Sequence, residues 1–393
     1  MNVLLTTDVF PPGGGGSGRS TATLARALAG RGHHVRVVVA RRETKEQTEW
    51  NGVAVSEVAI PAARIGSRAR ETAYARGLER ELGEEAWDLV HAQHWLSAIA
   101  TRHAAPRLPM VVTVRDYWPS CIWSTMLSGT KACPGCSYSR RVVCAGRRRP
   151  WMWPLTPLVP PFIGAELQRR ATLLAKARAV VAVSRHVARS LPGNADAEVI
   201  PNFSSELGTS FEKPTDLPDR YLLFIGKLEP NKAPDRLLPV LEAAKTEIPL
   251  IVAGSGSMMA ELRREAERRG RSVTWLGWVD EERTRALMQH ADAVLFPSRW
   301  QEPLSRVLLD GLAVGAVLVV EPTGGSADLV VHEESGVLAT GVDALGQELA
   351  RVLTDEALAE RLRQGALARA EAVFSEKAVL PQIEALYRGV SES

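Results

Sequence analysis

The chain has 393 residues, of which 45% are hydrophobic, so it is long enough and apolar enough to form two globular domains. Its 48 basic and 45 acidic side chains leave a net charge of only +3, which argues against nucleic-acid binding through bulk electrostatics. No window holds the roughly 18 uninterrupted apolar residues of a membrane span. The N-terminal MNVLLTTDVF carries Asp8 and lacks a basic leader, so it predicts a buried strand in a cytoplasmic protein.

Short apolar runs alternate with longer amphipathic segments along the whole chain. VRVVVA, DLVHAQ and PMVVTV occupy the first half, and YLLFIG, PLIVAG and AVLFPS the second. Such strands, separated by helices, predict parallel sheets that are covered on both faces. The polar stretch FSSELGTSFEKPTDLPDR predicts a linker. We therefore expect an α/β domain over residues 1–205, a second over 206–374, and a last helix over 375–393 that crosses back to the first.

Glycine-rich turns and lysines follow the predicted strands. The first strand leads into PPGGGGSGRS, which contains Gly15 and Gly16 and fits neither a Walker A loop nor a good dinucleotide-binding fingerprint. In LLFIGKLEPNK, Lys227 and Lys232 follow a strand and precede a helix, where diphosphates bind in open α/β sheets. The next strand ends at the glycine turn of LIVAGSGSM, which begins with Gly254.

The stretch PSRWQEPLSRVLLDGLAVGAVLVV resembles the retaining glycosyltransferases of family 4, and the likeness covers nearly the whole chain. The resemblance implies the GT-B fold, in which two Rossmann-like, doubly wound domains face each other across a cleft. The family motif of two glutamates falls on Glu302 and Asp310, with Asp in place of the second Glu. By this resemblance Glu302 lies beside the transferred sugar and Asp310 holds the ribose hydroxyls of the nucleotide.

Further motifs match the family one by one. GKLEPNK resembles its phosphate-binding turn, with Lys227 where Arg is usual and Lys232 matching directly, and the first loop matches at Gly15 and Gly16. PTGGSADLV places Gly325 near the donor. The resemblance implies a nucleoside-diphosphate sugar of the UDP, GDP or ADP type as donor, and a saccharide or lipid-linked acceptor.

The strand VVTVRDYWPSC departs from the family pattern. Family members often carry a His-Asp pair there, whereas this chain has Arg115 and Asp116. A retaining transferase can work without an enzyme base, because the leaving diphosphate can take the acceptor's proton. Arg115 cannot act as a base, but it can neutralise the diphosphate; pairing with Asp116 is the structural alternative. His94, after another strand, is a candidate for substrate contact.

All four cysteines lie within residues 121–144, spaced by eleven, two and seven residues: Cys121, Cys133, Cys136 and Cys144. This spacing predicts one metal centre that orders the loop after Asp116. We expect a structural [4Fe–4S] cluster, because zinc ribbons usually pair two CxxC knuckles and this segment has one; zinc is the alternative. No catalytic divalent metal is expected, since the chain lacks an obvious Asp-x-Asp motif.

The segment after Cys144, AGRRRPWMWPLTPLVPPFIG, combines arginines with tryptophans and suits an anionic lipid interface at the inner face of the membrane, or a packed loop. Two function classes therefore stay open. One is a hexose-transferring glycosyltransferase; the other is a nucleotide or nucleic-acid binding module that uses a four-cysteine metal site. The second class leaves Glu302, Asp310 and the lysine turn unexplained.

Overall fold

A computed structural model describes residues 1–12, 15–44, 49–62, 68–129, 131–149, 153, 156, 158–194 and 196–392. Its strands are β1 (Asn2–Thr7), β2 (His34–Arg41), β3 (Glu49–Trp50), β4 (Val53–Ala59), β5 (Leu89–Ala92), β6 (Met110–Val114), β7 (Leu127–Ser128), β8 (Lys131–Ala132), β9 (Ala179–Ala182), β10 (Glu198–Val199), β11 (Leu222–Ile225), β12 (Leu250–Ala253), β13 (Val273–Gly277), β14 (Ala293–Phe296), β15 (Leu318–Val320) and β16 (Val337–Leu338).

The helices alternate with these strands. They are α1 (Gly15–Gly30), α2 (Arg68–Glu84), α3 (Trp95–Ala104), α4 (Tyr138–Arg148), α5 (Val159–Ala175), α6 (Arg185–Arg189), α7 (Leu237–Ala243), α8 (Met259–Arg268), α9 (Glu281–His290), α10 (Arg306–Ala313), α11 (Ser326–Leu329), α12 (Val342–Thr354), α13 (Glu356–Phe374) and α14 (Glu376–Ser391). Within the described part of the chain, none of these helices is long and apolar enough to cross a membrane.

The chain folds into two compact units. The first comprises residues 1–126, 134–203 and 379–393, and the second comprises residues 127–133 and 204–378. The first unit is built on a sheet with the strand order β10-β9-β6-β5-β1-β2-β4-β3, in which only the β3–β4 pair is antiparallel. Because the chain runs from β1 to one side and then returns to β5 on the other, the order reverses between these two strands.

The last helix, α14, completes the core of the first unit. Its apolar residues, among them Val379, Leu380 and Tyr387, pack in one cluster with the buried side chains of β1, β2 and α1. At the rim of this contact Glu384 accepts from the guanidinium of Arg31 at 3.0 and 3.1 Å and lies 3.2 Å from a ring nitrogen of His33. The helix is therefore held by apolar burial and by paired charge.

The second unit has a wholly parallel sheet with the strand order β13-β12-β11-β14-β15-β16. Its strands read as continuous apolar runs because helices cover both faces; Leu222, Leu223 and Phe224 of β11 are each at most 2% exposed. The order reverses between β11 and β14, so the prediction of doubly wound parallel sheets is confirmed. Side-chain caps start several helices: Ser305 accepts from the amide of Leu308 at the start of α10.

Candidate functional site

Two loops of the second unit meet where its strand order reverses. The loop after β11 carries Lys232 and the loop after β14 carries Glu302, and the two side chains form an ion pair. Ligands of open α/β sheets bind at the carboxyl ends of strands at such a reversal. The Glu302 side chain is 4% exposed, and its Oε1 also accepts from Ser298 Oγ at 3.0 Å. The structure thus brings together two residues that the sequence assigned to one donor site.

Backbone contacts hold the two loops in register. The carbonyl of Asn231 accepts from the amides of Arg299 and Trp300 at 3.1 and 3.0 Å. The Lys232 ammonium lies 5.1 Å from the centre of the Trp300 ring, a cation–π distance. The lysine is therefore positioned by an aromatic face as well as by a carboxylate.

The Gly324–Gly325 turn packs directly on the backbone of Glu302. The amide of Gly325 donates to the Glu302 carbonyl at 2.6 Å, and the amide of Gly324 donates to Gln301 Oε1 at 3.0 Å. Gly324 has φ +58°, and a Cβ there would lie 2.5 Å from the Glu302 carbonyl oxygen. Only glycine fits at position 324. The turn therefore places Gly325 next to Glu302.

The glycine turn after β12, which begins with Gly254, has a structural explanation. Gly226 and Gly254 both have φ +155°, and a Cβ on Gly254 would lie 1.9 Å from the carbonyl oxygen of Gly226. The amide of Leu228 donates to the Ser255 carbonyl at 2.9 Å and joins the two turns. Gly254 is thus explained by this close backbone contact, and its role in donor binding stays a prediction. The neighbouring Lys227 is exposed.

Asp310 lies inside α10, one turn from a basic partner. Its Oδ1 is 3.0 Å from Nε of Arg306, and its side chain is 3% exposed. This pair orients the carboxylate in a buried position. The sequence analysis named Asp310 but did not predict its ion pair with Arg306.

A second cluster lies at the carboxyl ends of the strands of the first unit. Asp8 follows β1, His94 follows β5 and Asp116 follows β6, and these three strands are neighbours in the sheet. Nδ1 of His94 is 3.2 Å from Oδ1 of Asp8, and its Nε2 is 3.8 Å from Oδ2 of Asp116. The other Asp116 oxygen accepts from the amide of Trp118 at 2.7 Å. The structure therefore unites His94 and Asp116, as predicted residues, with Asp8, which sequence reasoning missed.

The charges within this cluster set the protonation states of His94 and Asp8. Burial acts to lower the pKa of His94, but the negative charges of Asp8 and Asp116 outweigh it and raise that pKa to about 10. Burial acts to raise the pKa of Asp8, yet the charge of His94 holds that pKa below its ordinary value. At neutral pH His94 is an imidazolium between two carboxylates, so it can donate hydrogen bonds but cannot accept a proton.

Arg115 bonds two polar side chains that the sequence analysis did not pair with it. One terminal nitrogen donates to Oδ1 of Asn202 and the other to Oε1 of Gln93. The nearby His91 bonds Tyr387 and Thr113 through its two ring nitrogens, each at 2.6 Å. Burial, together with the charge of Arg115, lowers the pKa of His91 to about 3, so this histidine is a neutral core residue. A catalytic role for Arg115 stays a prediction.

The first-loop glycines begin α1. Gly15 has φ +57°, and a Cβ added there would lie in open space. The carbonyl of Gly16 accepts from Ser20 Oγ at 3.1 Å. The turn thus leaves room for a ligand to approach the backbone, although residues 13–14 lie outside the described part of the chain.

The four cysteine side chains are of intermediate exposure. Cys121 follows the loop after Asp116, Cys133 and Cys136 follow β8, and Cys144 lies on α4. Across the residues that the structure describes, no group of three or more His, Cys, Asp or Glu side chains is placed to hold a metal ion. The structure therefore does not bring the thiols together as ligands, and the shared centre stays a prediction from spacing.

Comparisons with known proteins bear on the same two units. Residues 14–203 match the model described as Glycosyltransferase Family 4, and residues 209–369 match Glycosyl transferases group 1. The glycogen synthase of Mycobacterium tuberculosis H37Rv is 26% identical, with 98% of this chain and 94% of that protein covered. The uncharacterized glycosyltransferase YqgM of Bacillus subtilis is 25% identical over 71% of each chain.

Solved structures agree with the fold. Sucrose-phosphate synthase from Thermosynechococcus elongatus superposes with a TM-score of 0.74 at 19% identity over 99% of each chain. HepE of Anabaena, solved with UDP-glucose, gives a TM-score of 0.71 at 19% identity over 99% of this chain and 100% of that one. The chain therefore has the two-domain GT-B fold, and its two halves are similar to a family 4 glycosyltransferase domain and a group 1 glycosyltransferase domain.

Proposed function

We propose that the protein is a retaining glycosyltransferase that moves a sugar from a nucleoside-diphosphate sugar to a hydroxyl of a saccharide or lipid-linked acceptor. The observation that carries this proposal is the Lys232–Glu302 ion pair at the strand reversal of the second unit. A lysine at the end of a parallel strand supplies the positive charge that a diphosphate needs. One of the similar proteins is a glycogen synthase, which agrees with this chemistry.

Different residues of the second unit bind different parts of the donor. Lys232 and the exposed Lys227 neutralise the diphosphate, and Asp310, oriented by Arg306, accepts from the ribose hydroxyls. Glu302 and the adjoining Gly325 turn lie beside the transferred sugar. When the diphosphate binds, it replaces part of the contact between Lys232 and Glu302, because the ammonium then serves two anions.

The acceptor side is assigned to the first unit. Asp8 and Asp116 are carboxylates that can accept from sugar hydroxyls, and protonated His94 can donate to a sugar oxygen. His94 carries its own proton at neutral pH and His91 has both ring nitrogens bonded, so neither is a base for the acceptor.

The proton of the acceptor therefore goes to the leaving group. The bond between the anomeric carbon and the diphosphate oxygen breaks, the acceptor oxygen bonds to the same face of that carbon, and the diphosphate oxygen takes the hydroxyl proton. This route retains the anomeric configuration. The cationic side chains stabilise the charge that develops on the diphosphate, and this is the electrostatic contribution that the transfer needs.

A panel of nucleoside diphosphates tests the proposal. We expect UDP, GDP or ADP to raise the melting temperature of the wild-type protein, and an NMR spectrum of the product to show the anomer of the donor. The variant Lys176→Ala changes an exposed lysine of the first unit and should respond to the diphosphates like wild type. Stabilisation by an oligonucleotide and by none of the diphosphates would support the binding-module alternative, which leaves Lys232 and Glu302 unexplained.

A further inference from the structure

One segment of the first domain has an unusual charge composition. Residues 117–165 contain no Asp or Glu, but they contain Lys131 and five arginines: Arg140, Arg141, Arg147, Arg148 and Arg149. Six positive charges in one segment are twice the +3 of the whole chain. The rest of the protein is therefore slightly acidic, and the positive charge is local.

The same segment carries most of the exposed apolar side chains. Among the described residues seven large hydrophobic side chains are exposed, and five of them lie between residues 138 and 162: Tyr138 (59%), Val143 (40%), Trp153 (48%), Leu158 (74%) and Phe162 (65%). Scattered exposed hydrophobics are ordinary, whereas a concentration marks an interaction surface.

Helix geometry groups these residues on the outside of α4 and α5. Arg140, Val143 and Arg147 recur at helical spacing on the exposed side of α4, opposite the buried Ala145 and Gly146. Leu158 and Phe162 are four residues apart at the start of α5, so they also share a face.

Specific contacts join the two helices. Arg141 of α4 donates to the carbonyl of Pro160 in the first turn of α5 at 3.3 Å. The ring of Trp153 covers Gly146 of α4, since a Cβ on that glycine would lie 2.7 Å from the ring. Trp153 is thus packed on α4 and still half exposed. Residues 150–152, 154, 155 and 157 lie outside the described part of the chain.

We propose that this surface, the outer side of α4 and α5 with Trp153, binds an anionic lipid bilayer. Exposed aliphatic and aromatic side chains insert at the headgroup boundary, and flanking arginines pair with lipid phosphates. A bilayer fits better than a nucleic acid because Val143, Leu158 and Phe162 gain more from burial in an acyl boundary than from base stacking. The inference is independent of the donor site, which lies in the second unit.

Vesicle flotation tests this surface. The full chain is mixed at low salt with phosphatidylcholine–phosphatidylglycerol vesicles, with pure phosphatidylcholine vesicles, or with single-stranded RNA. We expect binding to the anionic vesicles only, weakened by added salt. Arg140→Glu with Arg147→Glu should lower the vesicle affinity by at least about 25-fold, since each basic residue near the surface contributes a factor of about five.

A second variant pair tests the apolar contribution. Leu158→Ser with Phe162→Ser should weaken vesicle binding and reduce its persistence at high salt. The matched controls Arg107→Glu with Arg264→Glu, and Trp278→Ser, change exposed residues outside the surface and should bind vesicles like wild type. Circular dichroism and nucleotide binding check that each variant is folded.

Three results would overturn the proposal. They are wild-type protein that ignores anionic vesicles, RNA binding in their place, and a folded Arg140→Glu, Arg147→Glu variant that floats as well as its matched control.

Discussion

Lys232→Ala is the sharpest perturbation of the donor site, because it removes one partner of a buried ion pair. Glu302 is 4% exposed and Lys232 is 21% exposed. Loss of one partner of a fully buried pair costs about 3–5 kcal/mol, and water reaching the partly exposed lysine position reduces this to about 2 kcal/mol of unfolding free energy. Loss of a charge-assisted bond to phosphate should also weaken diphosphate binding by about 2 kcal/mol, which is about 30-fold in Kd.

Two measurements separate these effects. Urea unfolding reports stability, and isothermal titration calorimetry reports diphosphate affinity for the folded variant. Adding Glu302→Gln to Lys232→Ala removes the uncompensated charge, so stability should recover while diphosphate affinity stays low. Lys176→Ala should change neither quantity. Wild-type affinity in folded Lys232→Ala would show that this lysine does not contact the phosphates, and the assignment of the loop after β11 would be wrong.

Two further predictions come from the structure, and a third comes from the cysteine spacing. The folded-state pKa of His94 is raised from 6.5 to about 10, so its contribution to the free energy of unfolding is complete below pH 6.5 and is lost as the pH rises through 10. In urea unfolding measured across this pH range, His94→Gln should lack this decline in stability. Equal pH profiles of stability for wild type and variant would count against the imidazolium. Gly254→Ala should destabilise the second unit by at least about 2 kcal/mol through its clash and positive φ, whereas Gly83→Ala, in open space on α2, should not lower the melting temperature. Anaerobically purified protein should contain an iron–sulfur cluster on the four cysteines, or one zinc as the alternative. Glycosyl transfer should survive EDTA while that centre keeps its metal. Metal-free protein with four freely reactive thiols would show that the centre does not exist.

Much of the fold follows from local patterns. The apolar runs of β11, β12 and β14 are short, continuous and followed by glycine or polar turns, and these properties are typical of buried parallel strands. The pairing of Lys232 with Glu302 was also within reach, since both residues follow strands and match motifs of one family. These features depend on a few neighbouring residues, so a single sequence carries them.

The Asp8–His94–Asp116 cluster depends on strand order and could not be read in the same way. Asp8 lies 86 residues before His94, and they meet only because β1 and β5 are adjacent in the sheet. The signal available was a carboxylate directly after the first strand. Arg115 illustrates the same limit, because its partners Asn202 and Gln93 follow different strands.

The position of α14 sets the order in which the chain can finish folding. Residues 204–378 supply nearly all of the second unit, so that unit has its sequence while the ribosome is still adding the segment that the first unit needs. Until residues 379–393 emerge, His91 lacks the hydroxyl of Tyr387 and Arg31 lacks Glu384. The domain that begins the chain therefore cannot complete its core until the residues that follow the second domain have packed against it.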